Sequence, residues 1–484
     1  MTQQHWKPLL ADTATGGGAG GGATVEVTRP WDGAALATVE KAGADAAQAA
    51  LETAHAVYRN RDAWLTPAQR IEILEKTCRM MGERADELAL QAAAEGGKPL
   101  PDSQVEVARA IVSLQSCVDC LRGERGHGER IPMGVNAASL NRIAFTIKEP
   151  IGVVLAFSAF NHPVNLIAHQ VGPAIAAGCP VVVKPAEATP LSCFTLVQML
   201  HEAGLPPAHC QALLVDGHDV SKRLVADERV GFFSFIGSDR VGWMLRNQLA
   251  PGARCALEHG GMAPVVIAAD ADLDDALPLI AKGGFYHAGQ VCVSVQRVFA
   301  HSSVARDVAA RLAKLGEAMV IGDPTLADTE VGPLIRPGEV ERVGQWVAES
   351  GAEVVCGGER VSDTAFQCTV LYDPPADAKV TCREVFGPVV CVYPFDDLAE
   401  AVERANELPY SFQAAVITRD LDAAAFCVRR LDAATVLVND HTAFRVDWMP
   451  FAGHKRSGYG TGGVPYTFDD MQADKLVVMR SKNW

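Results

Sequence analysis

The stretch that decides the fold reads GVVLAF (152–157), NLIAHQVGPAIAAG (165–178), PVVVKP (180–185), LSCFTLVQMLHEAG (191–204) and CQALLV (210–215). Short apolar runs alternate with helical segments. Strands alternating with helices imply parallel pairing and a doubly wound α/β sheet. The pattern continues through DVSKRLVAD (219–227), VGFFSFIG (230–237), SDRVGWMLRNQL (238–249), CALEHGG (255–261) and PVVIAA (264–269). A second series follows Cys292, with VFAHSS (298–303), AEVVCGG (352–358), VVCVYPF (389–395), FQAAVIT (412–418) and ATVLVND (434–440) as strand candidates. Upstream, Gly43 to Leu121 is mainly helical, with Gly96-Gly97 as a stop. The run GGGAGGGA (16–23) lacks the GK[ST] ending and the strand-to-helix setting of a phosphate loop, so it reads as a linker. The tail MQADKLVVMRSKNW (471–484) holds a further apolar strand.

A chain of 484 residues has room for two or three domains. Its formal charge is 43 − 58 = −15, which argues against nucleic acid and anionic membranes as main partners. Thirteen cysteines, an odd number spread from Cys78 to Cys427, form no disulfide framework and suggest the reducing cytoplasm. Cys117 and Cys120 make a lone CxxC within a helix and read as small buried thiols; no metal site is expected. The N-terminal MTQQHWKPLLADT lacks a basic segment followed by an apolar one, so no signal peptide is expected. No apolar run reaches the roughly 18 residues of a membrane helix.

Six segments carry the chemistry: FSAFNHPVN (157–165), VVVKPAE (181–187), ALEHGG (256–261), GQVCVSVQR (289–297), EVFGPV (384–389) and PFAGHKRSGYG (450–460). In this order and at these separations they closely resemble the aldehyde dehydrogenase superfamily, from about residue 26 to the C-terminus. By itself, a cysteine among small neighbours in a Gly-Gln-x-Cys turn is a plausible exposed thiol, and a thiolate is the form that attacks an aldehyde. The resemblance makes Cys292 the nucleophile. It gives Asn161, with the Cys292 backbone N–H, the oxyanion of the thiohemiacetal. It gives Glu258 the base that hydrolyses the thioester; members that pass the acyl group to coenzyme A typically lack this carboxylate. A cysteine protease would need a partner histidine, and neither His287 nor His441 has such a signature.

The resemblance further implies that Phe157, Ser158, Lys184, Glu187, Gly237, Ser238, Glu384 and Phe386 bind a nicotinamide dinucleotide. Lys184 and Glu187 would touch the adenosine ribose, and Glu384 and Phe386 the nicotinamide ribose. A carboxylate at the 2′-hydroxyl favours NAD, with NADP as the alternative cofactor. Ile236-Gly237-Ser238 opens a helix, and its spacing to Gly242 is not GxGxxG, a departure the family shares.

Several positions depart from the common pattern: Phe160 for Trp, His162 after the asparagine, Met262-Ala263 after the double glycine, and Thr461-Gly462-Gly463 where Arg-Glu is common. His162, Arg109 and Arg445, the last in HTAFRVDWMPF (441–451), resemble the branch acting on lactaldehyde, phosphonoacetaldehyde or phosphorylated glyceraldehyde. Guanidinium groups suit capture of carboxylate, sulfonate or phosphate. Two structural pairings, Arg445 with Asp447 and Arg109 with Glu106, are the alternative.

The resemblance implies a Rossmann-like cofactor domain (1–131 and 151–257), an α/β catalytic domain (258–445) and a small β oligomerisation arm (132–150 and 465–484). An exposed arm strand tends to pair with another subunit, so a homodimer or homotetramer is expected. The expected activity is NAD-dependent oxidation of a small anionic or hydroxylated aldehyde. The rivals are an uncharged aliphatic or aromatic aldehyde as substrate, and a catalytically silent structural or binding homologue.

Overall fold

The computed structural model describes residues 4–11 and 23–483. The glycines read as a linker, 16–22, lie outside these residues. The first α/β unit holds a six-stranded sheet in the order Gly458–Tyr459, Arg254–Glu258, Val230–Ile236, Val153–Phe157, Val181–Lys184, Cys210–Ala212. All pairs are parallel except the edge pair made by Gly458–Tyr459. The chain winds outward from Val153–Phe157 through two strands, then returns to that strand's other side. This reversal leaves a crevice beyond the carboxyl ends of Val153–Phe157 and Val230–Ile236, where doubly wound sheets bind ligands.

One face of the sheet packs on a core built from Leu74, Leu114, Val171 and Phe194. The other packs on Leu51, Leu155, Phe233 and Leu257. Both faces are covered, so the strands read as unbroken apolar runs rather than alternating ones. The second unit is a seven-stranded sheet, Glu353–Cys356 through Thr435–Val438, with its own core around Val266, Phe285, Val298, Leu312 and Val392. Four helices occupy the upstream segment: Ala44–Arg59, Pro67–Glu83, Ala85–Gly96 and Leu100–Arg122. The third stops at Gly97, whose φ of 76° is the left-handed turn that glycine allows.

Two buried carboxylates set the helices that follow the sheet strands. Glu95 accepts from Leu191 N and Ser192 N, each at 2.8 Å, at the start of helix Pro190–Glu202, and burial pushes its pKa up to about 7. Glu106 accepts from Val164 N (2.8 Å) and Asn165 N (3.0 Å) at the start of helix Asn165–Ala177. Its second oxygen pairs with the equally buried Lys98. The open N–H groups of a first helical turn favour an anion, and these two side chains supply it.

A three-stranded antiparallel arm joins Arg130–Ile131, Arg142–Pro150 and Gln472–Arg480. Its central strand begins at Arg142, after Asn136 and Ser139 cap a 3₁₀ turn over Ala137–Ser139. Short strands at Gln4–Trp6, Thr24–Thr28 and Ala35–Ala42 form, with Leu214–Val215, a small sheet that the sequence reading did not anticipate. No helix among the described residues is long and apolar enough to cross a membrane.

Candidate active site

The crevice gathers the residues expected to hold a dinucleotide. Phe157 and Ser158 end one strand, and Ser158 N donates to Lys184 O at 3.0 Å at the end of its neighbour. Gly237 and Ser238 end the next strand and open helix Asp239–Arg246, whose N-cap makes no side-chain bond. The Lys184 ammonium lies 5.3 Å from the Phe157 ring centre, and burial lowers its pKa. A helix N-terminus, a cation and a strand-end carboxylate at a topological switch point fit a dinucleotide. Glu187 lies three residues beyond the strand, where its carboxylate faces Lys41 at 2.7 Å.

Glu384 and Phe386 lie across the cleft. Glu384 Oε1 accepts from Gly261 N at 3.1 Å, and burial pushes its pKa up to about 8. A Cβ at Gly260 would collide with that carboxylate, which accounts for the first glycine of the pair in ALEHGG. Phe386 has a φ of 45° and stands edge-on to Phe160, with ring centres 6.0 Å apart. Left-handed backbone at a non-glycine residue persists only where its surroundings hold it, and such residues gather at functional sites.

Cys292 follows a turn in which His287, Ala288 and Gly289 all have positive φ. Its flanking residues Val291 and Val293 are buried with Phe412 and Phe451, so the thiol is fixed at the edge of a small apolar cluster. Burial pushes its pKa up to about 12, against the opposing pull of the Arg445 cation. Ten of the thirteen cysteines are buried; Cys255 and Cys382 are the others that reach the surface, and no other motif residue accompanies them. Glu258 ends its strand opposite Gly458 and lies against Gly462, where a Cβ would strike the carboxylate. The absence of a side chain at Gly462 leaves room for Glu258. Burial raises the pKa of Glu258, and Arg445 again pulls it down. Asn161 Nδ2 donates one hydrogen to Gln290 O at 3.0 Å, which fixes the amide and leaves its second hydrogen for another acceptor.

Asp447, the carboxylate paired with Arg445 from sequence, is held mainly by Arg109 and only at 4.0 Å by Arg445. Arg109 is bound in a fork by Asp447, with Nε to Oδ2 at 3.0 Å and Nη2 to Oδ1 at 2.8 Å. Its supposed partner Glu106 is taken by Lys98. Asp447 is buried and also accepts from Asn165 Nδ2 (3.1 Å) and bonds His169 Nε2 (2.7 Å). Burial works to raise its pKa, but the His169 bond and the Arg109 fork hold the carboxyl far below the usual range. Burial keeps His169 neutral, its pKa lowered to about 4. A neutral ring that donates from Nε2 to Asp447 can accept at Nδ1, and Arg445 Nη2 stands 3.3 Å from that atom. Arg445 lies over the Phe451 ring, 3.5 Å from its centre, while its Nε is 4.0 Å from Asp447 and has no hydrogen-bond partner among the described residues. His162 faces His287 edge-on at 6.3 Å, and burial, with Lys98 and Arg109 nearby, keeps it neutral.

Sequence reasoning overlooked the groups that brace this site. Gln290 donates to His287 O (3.2 Å) and Pro333 O (3.1 Å) and accepts from Ile335 N (2.9 Å). Gln296 donates to Val380 O and Arg383 O and accepts from Val385 N, which pins the segment carrying Glu384. Arg297 donates to Met262 O and Ala405 O. All three stand in GQVCVSVQR, and buried polar side chains in an apolar motif were the available signal.

A thiol, a carboxylate of raised pKa, a fixed amide and a dinucleotide crevice suit oxidation of a carbonyl through a covalent intermediate. The comparisons with known proteins agree. The chain belongs to the aldehyde dehydrogenase family, whose profile matches residues 18–477. It is 39% identical to the 3-sulfolactaldehyde dehydrogenase of Priestia aryabhattai, over 86% of this chain and 87% of that protein. Among solved structures it is similar to aldehyde dehydrogenase 21 from Physcomitrella patens in complex with the reaction product succinate, with a TM-score of 0.93, 32% identity and 99% of both chains covered. It is also similar to the glyceraldehyde-3-phosphate dehydrogenase GapN from Methanocaldococcus jannaschii complexed with NADP, with a TM-score of 0.89, 30% identity and 94% and 99% of the chains covered. The protein is an NAD(P)-dependent aldehyde dehydrogenase.

Proposed function

We propose that this enzyme oxidises a small aldehyde carrying an anionic group, or at least a hydroxyl, to the carboxylic acid. The observation that carries the reading is a charge imbalance. Asp447 is committed to Arg109 in a fork and Arg445 keeps only a 4.0 Å approach to it, so one carboxylate serves two cations and the charge of Arg445 acts on both Cys292 and Glu258. An apolar aldehyde is bound by apolar walls and has no use for such a group. The relatives' names support the same class, since sulfolactaldehyde, succinate and glyceraldehyde 3-phosphate bear a sulfonate, carboxylates and a phosphate.

In this mechanism Cys292 gives up its proton to solvent water, and Sγ adds to the carbonyl carbon as the C=O π pair moves to oxygen. The resulting oxyanion is held by the free hydrogen of Asn161 Nδ2 and the Cys292 N–H. The bound nicotinamide supplies the hydride acceptor. Loss of hydride leaves a thioester on Sγ. Glu258 then takes a proton from water, the hydroxide oxygen adds to the thioester carbon, and the C–S bond breaks to release the acid. Phe157, Ser158, Lys184, Glu187, Gly237 and Ser238 hold the adenosine diphosphate end of the cofactor, and Glu384 and Phe386 its nicotinamide ribose. Arg445 binds the substrate's anionic group, His162 lends a neutral donor beside it, and Arg109 is assigned to holding Asp447. Exposed apolar residues on the arm support a homo-oligomer, and thirteen free thiols support a reducing, cytoplasmic setting.

Arg445→Ala tests the reading. A hydrogen bond to a charged group contributes roughly 1.5–3 kcal/mol, about 10- to 150-fold in kcat/KM. That loss is expected with sulfolactaldehyde or succinate semialdehyde and should be small with propanal. A wild-type preference for propanal or benzaldehyde, or an equal loss with both classes, would show that Arg445 is structural.

A further inference from the structure

The carboxylate expected to read the adenosine ribose is already occupied by a cation from a distant strand. Lys41 stands near the end of Ala35–Ala42, in the small N-terminal sheet, where it is in register with Leu214. Its ammonium meets Glu187 Oε1 at 2.7 Å; the lysine side chain is 16% exposed and the glutamate side chain 57%. The general rule for doubly wound sheets places the adenosine ribose at the carboxyl end of the second strand, here Val181–Lys184. An acidic side chain there accepts from the 2′-hydroxyl, and a basic one accommodates a 2′-phosphate. This chain offers both at one point, with Lys184 as a second cation on the same edge.

We propose that Lys41 makes the enzyme accept NADP as well as NAD. In the free enzyme it cancels the charge of Glu187. With NAD bound, Glu187 accepts from the 2′-hydroxyl while Lys41 stays on its other oxygen. With NADP bound, the exposed Glu187 side chain swings outward and Lys41 donates to the 2′-phosphate. The lysine is the less mobile partner because its stem is largely buried, so it is the carboxylate that yields.

The test is direct binding of NAD+ and NADP+ to the aldehyde-free enzyme by titration calorimetry, with the melting temperature of each variant as a control for folding. The two wild-type dissociation constants should agree within about tenfold. A charged hydrogen bond contributes about tenfold or more, so Lys41→Ala should weaken NADP+ at least that much and NAD+ by less than about threefold. Lys41→Arg should retain NADP+ binding, and Glu187→Gln should tighten it. If wild type binds NAD+ more than about a hundredfold tighter than NADP+, or if Lys41→Ala leaves the ratio of the two constants unchanged, Lys41 serves only to orient Glu187 and the proposal is overturned. Both arms are independent of which aldehyde the enzyme oxidises.

Discussion

Cys292 and Glu258 are governed by the same opposition: burial penalises their charged forms and Arg445 favours them. Cys292→Ala should remove turnover, leaving less than about a hundredth of kcat, while Cys255→Ala and Cys382→Ala keep most of it. Because the resting thiol stands near pH 12, its alkylation by iodoacetamide should keep accelerating with pH well past 9, and Arg445→Ala should slow it further at any given pH. A plateau near pH 8 would show a thiolate stabilised by something other than Arg445. Glu258→Gln should release one equivalent of NADH per site and then stall, since hydride loss precedes the step that needs the base. In wild type the base form of Glu258 exists above its raised pKa. Steady-state turnover should therefore fall on acidification at a pH higher than an ordinary glutamate would give, while the burst persists. A burst lost together with turnover would place Glu258 at the activation of Cys292.

At the level of elements, Asp447 joins three segments: helix Leu100–Arg122 through Arg109, helix Asn165–Ala177 through Asn165 and His169, and its own loop ahead of Phe451. Asp447→Asn leaves Arg109 without its counter-charge. Removing one member of a buried pair costs about 3–5 kcal/mol, and the low end applies because Arg109 is partly exposed. Denaturant melts should show a loss of about 3 kcal/mol, accompanied by a raised KM for an anionic aldehyde, because His169 no longer steadies Arg445. Most strands of both sheets were legible because two-sided burial writes them as apolar runs, although Thr369–Tyr372 was not picked out, and the motifs at 157–165, 256–261 and 289–297 pointed to the groups proposed here to react. The pairing of Arg109 was not legible. Its partner lies 338 residues away in sequence, and spacing favours the neighbour Glu106, which Lys98 and a helix start had already claimed. The small N-terminal sheet escaped notice because its strands lack an apolar run, and Lys41 escaped with them.

Across the whole molecule, the arm presents Ile147, Leu476, Val478 and Met479 to solvent on adjoining strands, with Gln472–Arg480 as an unpaired edge. Exposed edges of this kind recruit another chain. Leu476→Glu with Val478→Glu should lower the sedimentation coefficient towards that of a single chain while leaving the site residues unaltered; no change would place the subunit contact elsewhere. The raised pKa of the Cys292 thiol has one more effect. A thiol held protonated by its surroundings is a slow target for hydrogen peroxide, because sulfenic acid forms from the thiolate. Between turnovers the enzyme thus carries its nucleophile with the safety on, and its half-life under oxidative stress should be set by how often aldehyde and cofactor wake that sulfur rather than by the peroxide concentration alone.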